Sequence, residues 1–235
     1  MEPKQIEKVW HSGLKCEQCA IRNLVLFADF DKDDFELIHR PINEFEMGVG
    51  DTLYSQGDAS EAVFTLRSGL VKLVSYLADG SIRIVRIIKA GDVVGLEALD
   101  NKQYLHHAII LEKASFCRIP VSQIKMLEEH SPHLSKQLTA RWQRVISDAD
   151  VWLSQLSCGF AKQRVAYLLL YLAEGNEAGE CYLPTRQDIG AILAVTTETA
   201  SRVIAEFKRL GIVKLLSQHK VLLDKKGLLN LCEND

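Results

Sequence analysis

Between residues 42 and 120, short apolar segments rich in β-branched residues alternate with glycine-containing turns, a pattern typical of β-strands. The pair Asp79-Gly80 is a strong hairpin signal, and Ser68-Gly69 indicates a further turn. The region therefore predicts an antiparallel β-roll or barrel. Its clearest strands are expected at 62–66, 70–77 and 82–88.

The apolar period becomes helical from Ser131 to about Leu156, where apolar residues recur at spacings of three and four. This spacing places them in one stripe along a long helix, which can be buried against its own domain or against a second copy. The regular alternation favours the seam of a homodimer. The stripe consists of Leu134, Leu138, Trp142, Val145, Ala149, Trp152 and Leu156.

Residues 185–213 have the pattern of two helices joined by a tight turn. Thr185 and Asp188 have the spacing of a cap that opens the first helix, and Thr196 can cap the second. The second helix is expected to bury one face against the first. That face consists of Ala200, Ile204, Phe207 and Leu210.

A different face of the second helix, near its N-terminus, carries Glu198, Ser201 and Arg202 at positions i, i+3 and i+4. A recognition helix presents its base-reading residues at this place. An arginine can donate two hydrogen bonds to guanine, and a glutamate can accept one from cytosine. Glu198 and Arg202 could instead form an ordinary ion pair on the surface.

The composition, 47% hydrophobic and 25% charged, is that of a globular protein with a real core. The net charge of −3 argues against a protein that coats nucleic acid with its whole surface. However, residues 185–226 hold eight Lys or Arg against four Asp or Glu, which suits docking of one face on DNA. No apolar run could span a bilayer and no signal peptide is evident, so we expect a cytoplasmic protein without a membrane partner.

The β-roll with Gly-Asp turns, the long striped helix and the sequence TRQDIGAILAVTTETASR together resemble the CRP/FNR superfamily of bacterial regulators. The spacing of Glu198, Ser201 and Arg202 is similar to that of its FNR branch. The resemblance implies an α+β fold with a cyclic-nucleotide-binding-like β-roll, a dimerisation helix and a C-terminal winged helix-turn-helix. We expect these parts at 1–130, 131–157 and 158–235.

The resemblance also implies a homodimer that binds duplex DNA at TTGAT-type half-sites, with RNA polymerase as a further partner. Glu198 and Arg202 would then read the G·C pair, and Ser201 would lie near the flanking thymine. Contacts with phosphate fix position rather than sequence. The residues that match phosphate-contacting positions are Thr185, Arg186, Gln187, Thr196 and Thr199.

Cyclic AMP is not expected as a ligand, because the family turn that supplies a glutamate to the ribose has Leu96 at that position. The segment QYLHHAII (103–110) follows where an Arg-Ser pair for the phosphate would be expected. An unpaired buried phosphate charge would cost several kcal/mol. We assign the two histidines no role, because neighbours in a strand point to opposite faces.

The FNR branch holds a 4Fe-4S cluster on four cysteines, and Cys16, Cys19 and Cys117 match three of these positions. The fourth is Val25, which cannot ligate iron. A cluster would need a different fourth ligand, for which His11, Asp29 and Asp31 are near in sequence.

Two other interpretations of the cysteines remain open. They could form a disulfide switch without a cluster, or they could have a structural or zinc-binding role while a small molecule or gas in the β-roll acts as effector. A thioredoxin-like enzyme is not expected, because Cys16 and Cys19 precede an all-β region. No other catalytic motif is present, so the chain is expected to be a regulator and not an enzyme.

Overall fold

The structure is a computed structural model that describes residues 26–27 and 43–233. The cysteines in CEQC, Val25 and the three other candidate ligands near them lie outside these described residues. The described chain divides into two compact units. One contains residues 26–27, 43–75 and 86–145, and the other contains 76–85 and 146–233.

The predicted β-region folds into a six-stranded sheet in which the sixth strand is central. That strand, β6, pairs in antiparallel fashion with β1, β2 and β3, and β3 also pairs with β4 and β5. The strands are β1 (Asn43–Met47), β2 (Thr52–Tyr54), β3 (Ala62–Tyr76), β4 (Ile82–Ile88), β5 (Val93–Val94) and β6 (His107–Pro120).

Strand β3 runs through Ser68-Gly69, where the sequence indicated a turn. The register between β3 and β6 shifts around this point, so the two residues form a bulge. Gly69 has a φ of +87°, and a Cβ there would lie 2.3 Å from the Lys113 carbonyl oxygen on β6. The glycine thus allows a close backbone approach inside one strand, and the turn prediction is wrong.

The predicted hairpin at Asp79-Gly80 is confirmed. Gly80 has a φ of +80°, and the Leu77 N–H donates to the Ser81 carbonyl oxygen at 2.9 Å. The turn joins β3 to β4.

One apolar cluster forms the core of the roll. Phe45 stacks on Phe116 with ring centroids 5.3 Å apart, and Phe64 meets Phe116 edge-on at 6.5 Å. Leu26 and Phe27, which follow Val25 in the sequence, are buried in the same cluster. The chain immediately after Val25 is therefore anchored in the core of the roll.

The helices follow the roll, with a second, three-stranded sheet of order β7-β9-β8 near the C-terminus. They are α1 (Val121–His130), α2 (Pro132–Val151), α3 (Ala161–Leu172), α4 (Arg186–Leu193), α5 (Thr197–Arg209) and α6 (Lys225–Glu233). The strands are β7 (Glu180–Tyr182), β8 (Val213–Leu215) and β9 (Lys220–Leu223), and a π-helical turn, Trp152–Leu156, follows α2.

The predicted dimer stripe on the long helix needs correction, because the protomer covers most of it. Leu134 and Leu138 are buried in the core of the roll, and Val145 packs against that core. Trp152 and Leu156 are buried within the other unit, where Trp152 meets Tyr171 edge-on at 6.0 Å. Of the predicted stripe, only Trp142 and Ala149 are exposed.

Helix α2 and the π-helical turn after it carry a second row of apolar residues, which are exposed in the protomer. Ile146 is 61% exposed and Leu153 is 65% exposed, and Trp142 and Ala149 are exposed as well. The four residues are spaced four, three and four apart, the repeat of a coiled-coil seam. We call Trp142, Ile146, Ala149 and Leu153 the open stripe.

Candidate nucleic-acid interface

Helix α4 opens at the predicted cap. The Thr185 hydroxyl accepts a hydrogen bond from the Asp188 N–H at 3.0 Å and donates one to Asp188 Oδ2 at 2.7 Å. The cap satisfies a backbone donor that the first helical turn leaves without an intrahelical partner. The inner face of α4 is buried and consists of Ile189, Ile192 and Leu193.

The turn between α4 and α5 spans only residues 194–196. Ala194 closes α4 in the left-handed conformation, with φ 53° and ψ 45°. Gly190 lies beneath the turn, where a Cβ would be 2.7 Å from the Val195 carbonyl oxygen. The absent side chain at Gly190 lets the turn approach α4 closely.

Helix α5 opens at Thr196, whose hydroxyl accepts from the Thr199 N–H at 3.2 Å. The predicted cap of the second helix is therefore confirmed. The cap fixes where α5 begins, and with it the position of the residues in its first two turns.

We expect Thr196→Ala to destabilise the protein by about 1 kcal/mol, because the Thr199 N–H loses its partner. Thr196→Ser keeps the hydroxyl and should stay close to wild type. Thr197→Ala, one residue later at an exposed position, is the matched control. Urea unfolding followed by circular dichroism measures the difference, and equal midpoints for all three variants would contradict a role for the cap.

The buried face of α5 differs from the predicted one at a single place. Ala200, Ile204 and Phe207 are buried as expected, but Leu210 is 58% exposed and Val203 is buried instead. The helix ends at Arg209, so Leu210 leaves the helical stripe. Val203, beside Ile204, completes the apolar face.

Glu198, Ser201 and Arg202 are all exposed on the first two turns of α5. The structure forms no ion pair between Glu198 and Arg202. The backbone at the start of α5 and the Thr196 hydroxyl lower the pKa of the Glu198 carboxylate. Both side chains are exposed, so the guanidinium and the carboxylate are accessible to a ligand.

The five predicted phosphate-contacting residues lie at the openings of α4 and α5. Thr185, Gln187 and Thr196 are exposed, whereas Arg186 and Thr199 are half-buried. Burial lowers the pKa of the Arg186 guanidinium below its ordinary value. Helix N-termini favour anions because their free N–H groups point outward.

Two residues of α3 that the sequence did not indicate hold both helices of the motif. Lys162 Nζ donates to Glu206 Oε1 on α5 at 2.7 Å, and Arg164 Nη1 donates to the Leu193 carbonyl oxygen at the end of α4 at 2.6 Å. The partners are 44 and 29 residues apart in sequence, so no local pattern could have identified them.

The sequence predicted no carboxylate for a ribose at the turn of Gly95 and Leu96, which opens a short 3-10 helix. Leu96 is buried in the core there. Nearby, the ring of Tyr54 stacks on the ring of Tyr104, with the ring centroids 3.7 Å apart. Among the described residues, neither the Tyr54 hydroxyl nor Glu97 Oε1 has a hydrogen-bond partner, although both atoms are buried. Burial also lowers the pKa of His106.

Cys117 lies on β6, opposite Glu44 of β1 and Thr65 of β3. Its side chain is half-buried, and its neighbour Phe116 is fully buried in the core of the roll. Within the described part of the chain, no group of three or more His, Cys, Asp or Glu residues could hold a metal ion. Burial raises the pKa of the Cys181 thiol to about 12.

Two family models match the chain. The model described as "Cyclic nucleotide-binding domain" matches residues 45–131, and the model described as "Crp-like helix-turn-helix domain" matches residues 163–231. In the described residues, no helix combines the length and hydropathy that crossing a membrane requires.

Relatives and solved structures match most of the chain. "Transcriptional activator protein FnrA" of Stutzerimonas stutzeri is 30% identical over 91% of this chain and 90% of its own length. "Transcriptional activator protein anr" of Pseudomonas aeruginosa is 30% identical over 89% of this chain and 88% of its own. The structure of FixK2 from Bradyrhizobium japonicum is 26% identical, with a TM-score of 0.74 over 82% of this chain and 98% of that one.

Proposed function

Because the chain belongs to the CRP/FNR family of bacterial transcription regulators, we propose that it binds DNA as a homodimer at TTGAT-type half-sites. The family also confirms the predicted fold class and the expectation that the protein is a regulator and not an enzyme. RNA polymerase is a further partner that we propose from the same resemblance.

Base reading is assigned to Glu198, Ser201 and Arg202. The observation that carries this assignment is the absence of a Glu198–Arg202 ion pair on an exposed face of α5. An arginine that is available can donate two hydrogen bonds to guanine, and the neighbouring carboxylate can accept from the paired cytosine. Thr185, Arg186, Gln187, Thr196 and Thr199 are assigned to phosphate contacts at the two helix N-termini.

The test is a comparison of two duplexes at one salt concentration. One carries two TTGAT-type half-sites with centres about one helical turn apart, and the other has the G·C pair of each half-site replaced by A·T. Each lost pair of contacts should cost about 1 to 3 kcal/mol, so with two half-sites the first duplex should bind at least about 30-fold more tightly. Equal affinity for the two duplexes would overturn the assignment.

Dimerisation is assigned to the open stripe on α2 and the π-helical turn. Exposed apolar residues scattered singly are normal on a protein surface, but a continuous row of them at heptad spacing marks an association surface. The apolar residues of the same segment that lie outside the open stripe, such as Leu138 and Trp152, are already buried within the protomer.

The proposed signal is oxygen or redox state, received through Cys16, Cys19 and Cys117. These three thiolates could hold a 4Fe-4S cluster only with a fourth ligand other than Val25, or they could act as a disulfide switch without it. The half-buried position of Cys117 beside the core that anchors Leu26–Phe27 supports its inclusion. Cys181 is set apart by its raised pKa, which keeps the thiol protonated.

We expect exposure to air to change DNA affinity by about 5- to 150-fold, and Cys117→Ser to remove that response. The matched control is Cys158→Ser, which removes an exposed thiol outside the proposed set. Affinity is measured on anaerobic and air-exposed protein, together with iron, acid-labile sulfide and free thiols. If Cys117→Ser responds to air as wild type does, the redox assignment is wrong.

A second candidate signal is a small molecule or gas bound in the roll, with no cluster. It is favoured by the buried Tyr54 hydroxyl and Glu97 Oε1, which have no hydrogen-bond partner among the described residues. Cyclic AMP is not proposed as that ligand, because Leu96 offers no carboxylate to a ribose. Colourless anaerobic protein without iron, whose DNA binding ignores air, would favour this candidate over the redox signal.

A further inference from the structure

Arg202 lies between two glutamates of its own helix, Glu198 at i−4 and Glu206 at i+4. Residues four apart on a helix are neighbours, so either carboxylate can reach an exposed guanidinium there. A guanidinium held by a carboxylate has fewer donors to offer a guanine. Base reading by Arg202 is therefore favoured when neither carboxylate holds the guanidinium.

The Glu206 carboxylate has a partner outside its own helix. Glu198 is exposed at the first turn of α5 and forms no salt bridge with Arg202. Glu206 accepts from Lys162 Nζ at 2.7 Å, in a salt bridge whose side chains are only 38% and 33% exposed. The contact with Lys162 is the largest cause of the lowered Glu206 pKa, ahead of the charges of Arg209 and Arg202.

We propose that Lys162 is a positioning residue for DNA reading, which holds the Glu206 carboxylate on the α3 side of α5 and so leaves Arg202 available to the G·C pair. The proposal rests on the assignment of base reading to Arg202. Lys162 is well placed for this task because α3 also holds the end of α4 through Arg164. The amine comes from α3, so the Glu206 carboxylate is bound to a different helix from the one that carries Arg202.

The experiment is a double-mutant cycle in the full-length chain, using Lys162→Met, Glu206→Gln and the two together. Lys162→Met frees the Glu206 carboxylate to compete for Arg202 at each half-site. We expect the ratio of affinities for TTGAT-type and A·T-substituted duplexes to fall by about two- to fivefold. Glu206→Gln should leave the ratio as in wild type, and the double variant should restore it.

Three other results would each overturn the proposal. If Lys162 contacts phosphate directly, Lys162→Met weakens both duplexes equally, flattens the dependence of affinity on salt, and is not rescued by Glu206→Gln. If the salt bridge only stabilises the fold, the double variant unfolds at a lower urea concentration and stays as weak as Lys162→Met. If Lys162→Met keeps the wild-type ratio, the position of Glu206 does not matter to Arg202.

Arg202→Ala separates this inference from the function on which it rests. If that variant keeps its preference for TTGAT-type DNA, base reading by Arg202 is wrong and the role of Lys162 falls with it. If Arg202→Ala loses the preference while Lys162→Met retains it, only the positioning role is refuted. Lys125→Met, which removes an exposed charge from α1, controls for the change in net charge.

Discussion

Replacing Arg202 with alanine should remove most of the preference for TTGAT-type half-sites over duplexes in which the G·C pair is replaced by A·T. Two hydrogen bonds from a guanidinium to guanine O6 and N7 discriminate by about 1 to 3 kcal/mol, which is about 5- to 150-fold for each half-site. The structure leaves this guanidinium exposed and forms no ion pair between it and Glu198. Binding to guanine should therefore cost little free energy for breaking contacts of Arg202 within the protein.

Arg209→Ala is the matched control, because it removes the same side chain from the exposed last turn of the same helix. An arginine there can attract phosphate but is two turns away from the proposed reading positions. We expect it to weaken both duplexes to a similar degree, with the ratio unchanged. Both variants are titrated with the two duplexes at the same salt concentration. If Arg202→Ala keeps the wild-type ratio of affinities for the two duplexes, the assignment of base reading to Arg202 is refuted.

The sequence predicted best the features that local chemistry determines. Thr185 and Thr196 cap the two helices at the predicted positions, because a hydroxyl at the start of a helix meets a nearby backbone N–H whatever the surroundings. The hairpin at Asp79-Gly80 formed for a similar reason, since its glycine supplies the positive φ of the turn. These predictions needed no knowledge of the tertiary structure.

Predictions that depended on tertiary packing were less accurate. Ser68-Gly69 has the composition of a turn, but its glycine serves a close approach to Lys113 on a strand that is distant in sequence. Apolar spacing on the long helix correctly indicated buried residues, yet periodicity alone could not say whether Leu134 faces the roll or a second copy. The contact between Lys162 and Glu206 joins two helices and leaves no local signal.

The largest effect is expected from a charge in the open stripe: Ile146→Asp should convert the dimer into monomers. In a two-fold dimer the substitution occurs twice, and each buried carboxylate without a partner costs several kcal/mol. Ile146 is 61% exposed in the protomer, so the change should leave the fold of the single chain intact. A monomer contacts only one half-site at a time and so loses the gain in affinity from bivalent binding. The affinity for a duplex with two half-sites should therefore fall by about 10²- to 10⁴-fold.

Ser147→Asp places the same charge one residue later, at an exposed position about 100° around the helix. It should remain dimeric and bind DNA as wild type does, which separates an effect on the seam from an effect of charge on the helix. Light scattering gives the mass in solution, and thermal unfolding checks that both variants are folded. If Ile146→Asp remains dimeric, the seam lies elsewhere. By contrast, Leu134→Ala should lower the stability of the protein but leave it dimeric, because Leu134 is buried in the core of the roll and not in the open stripe.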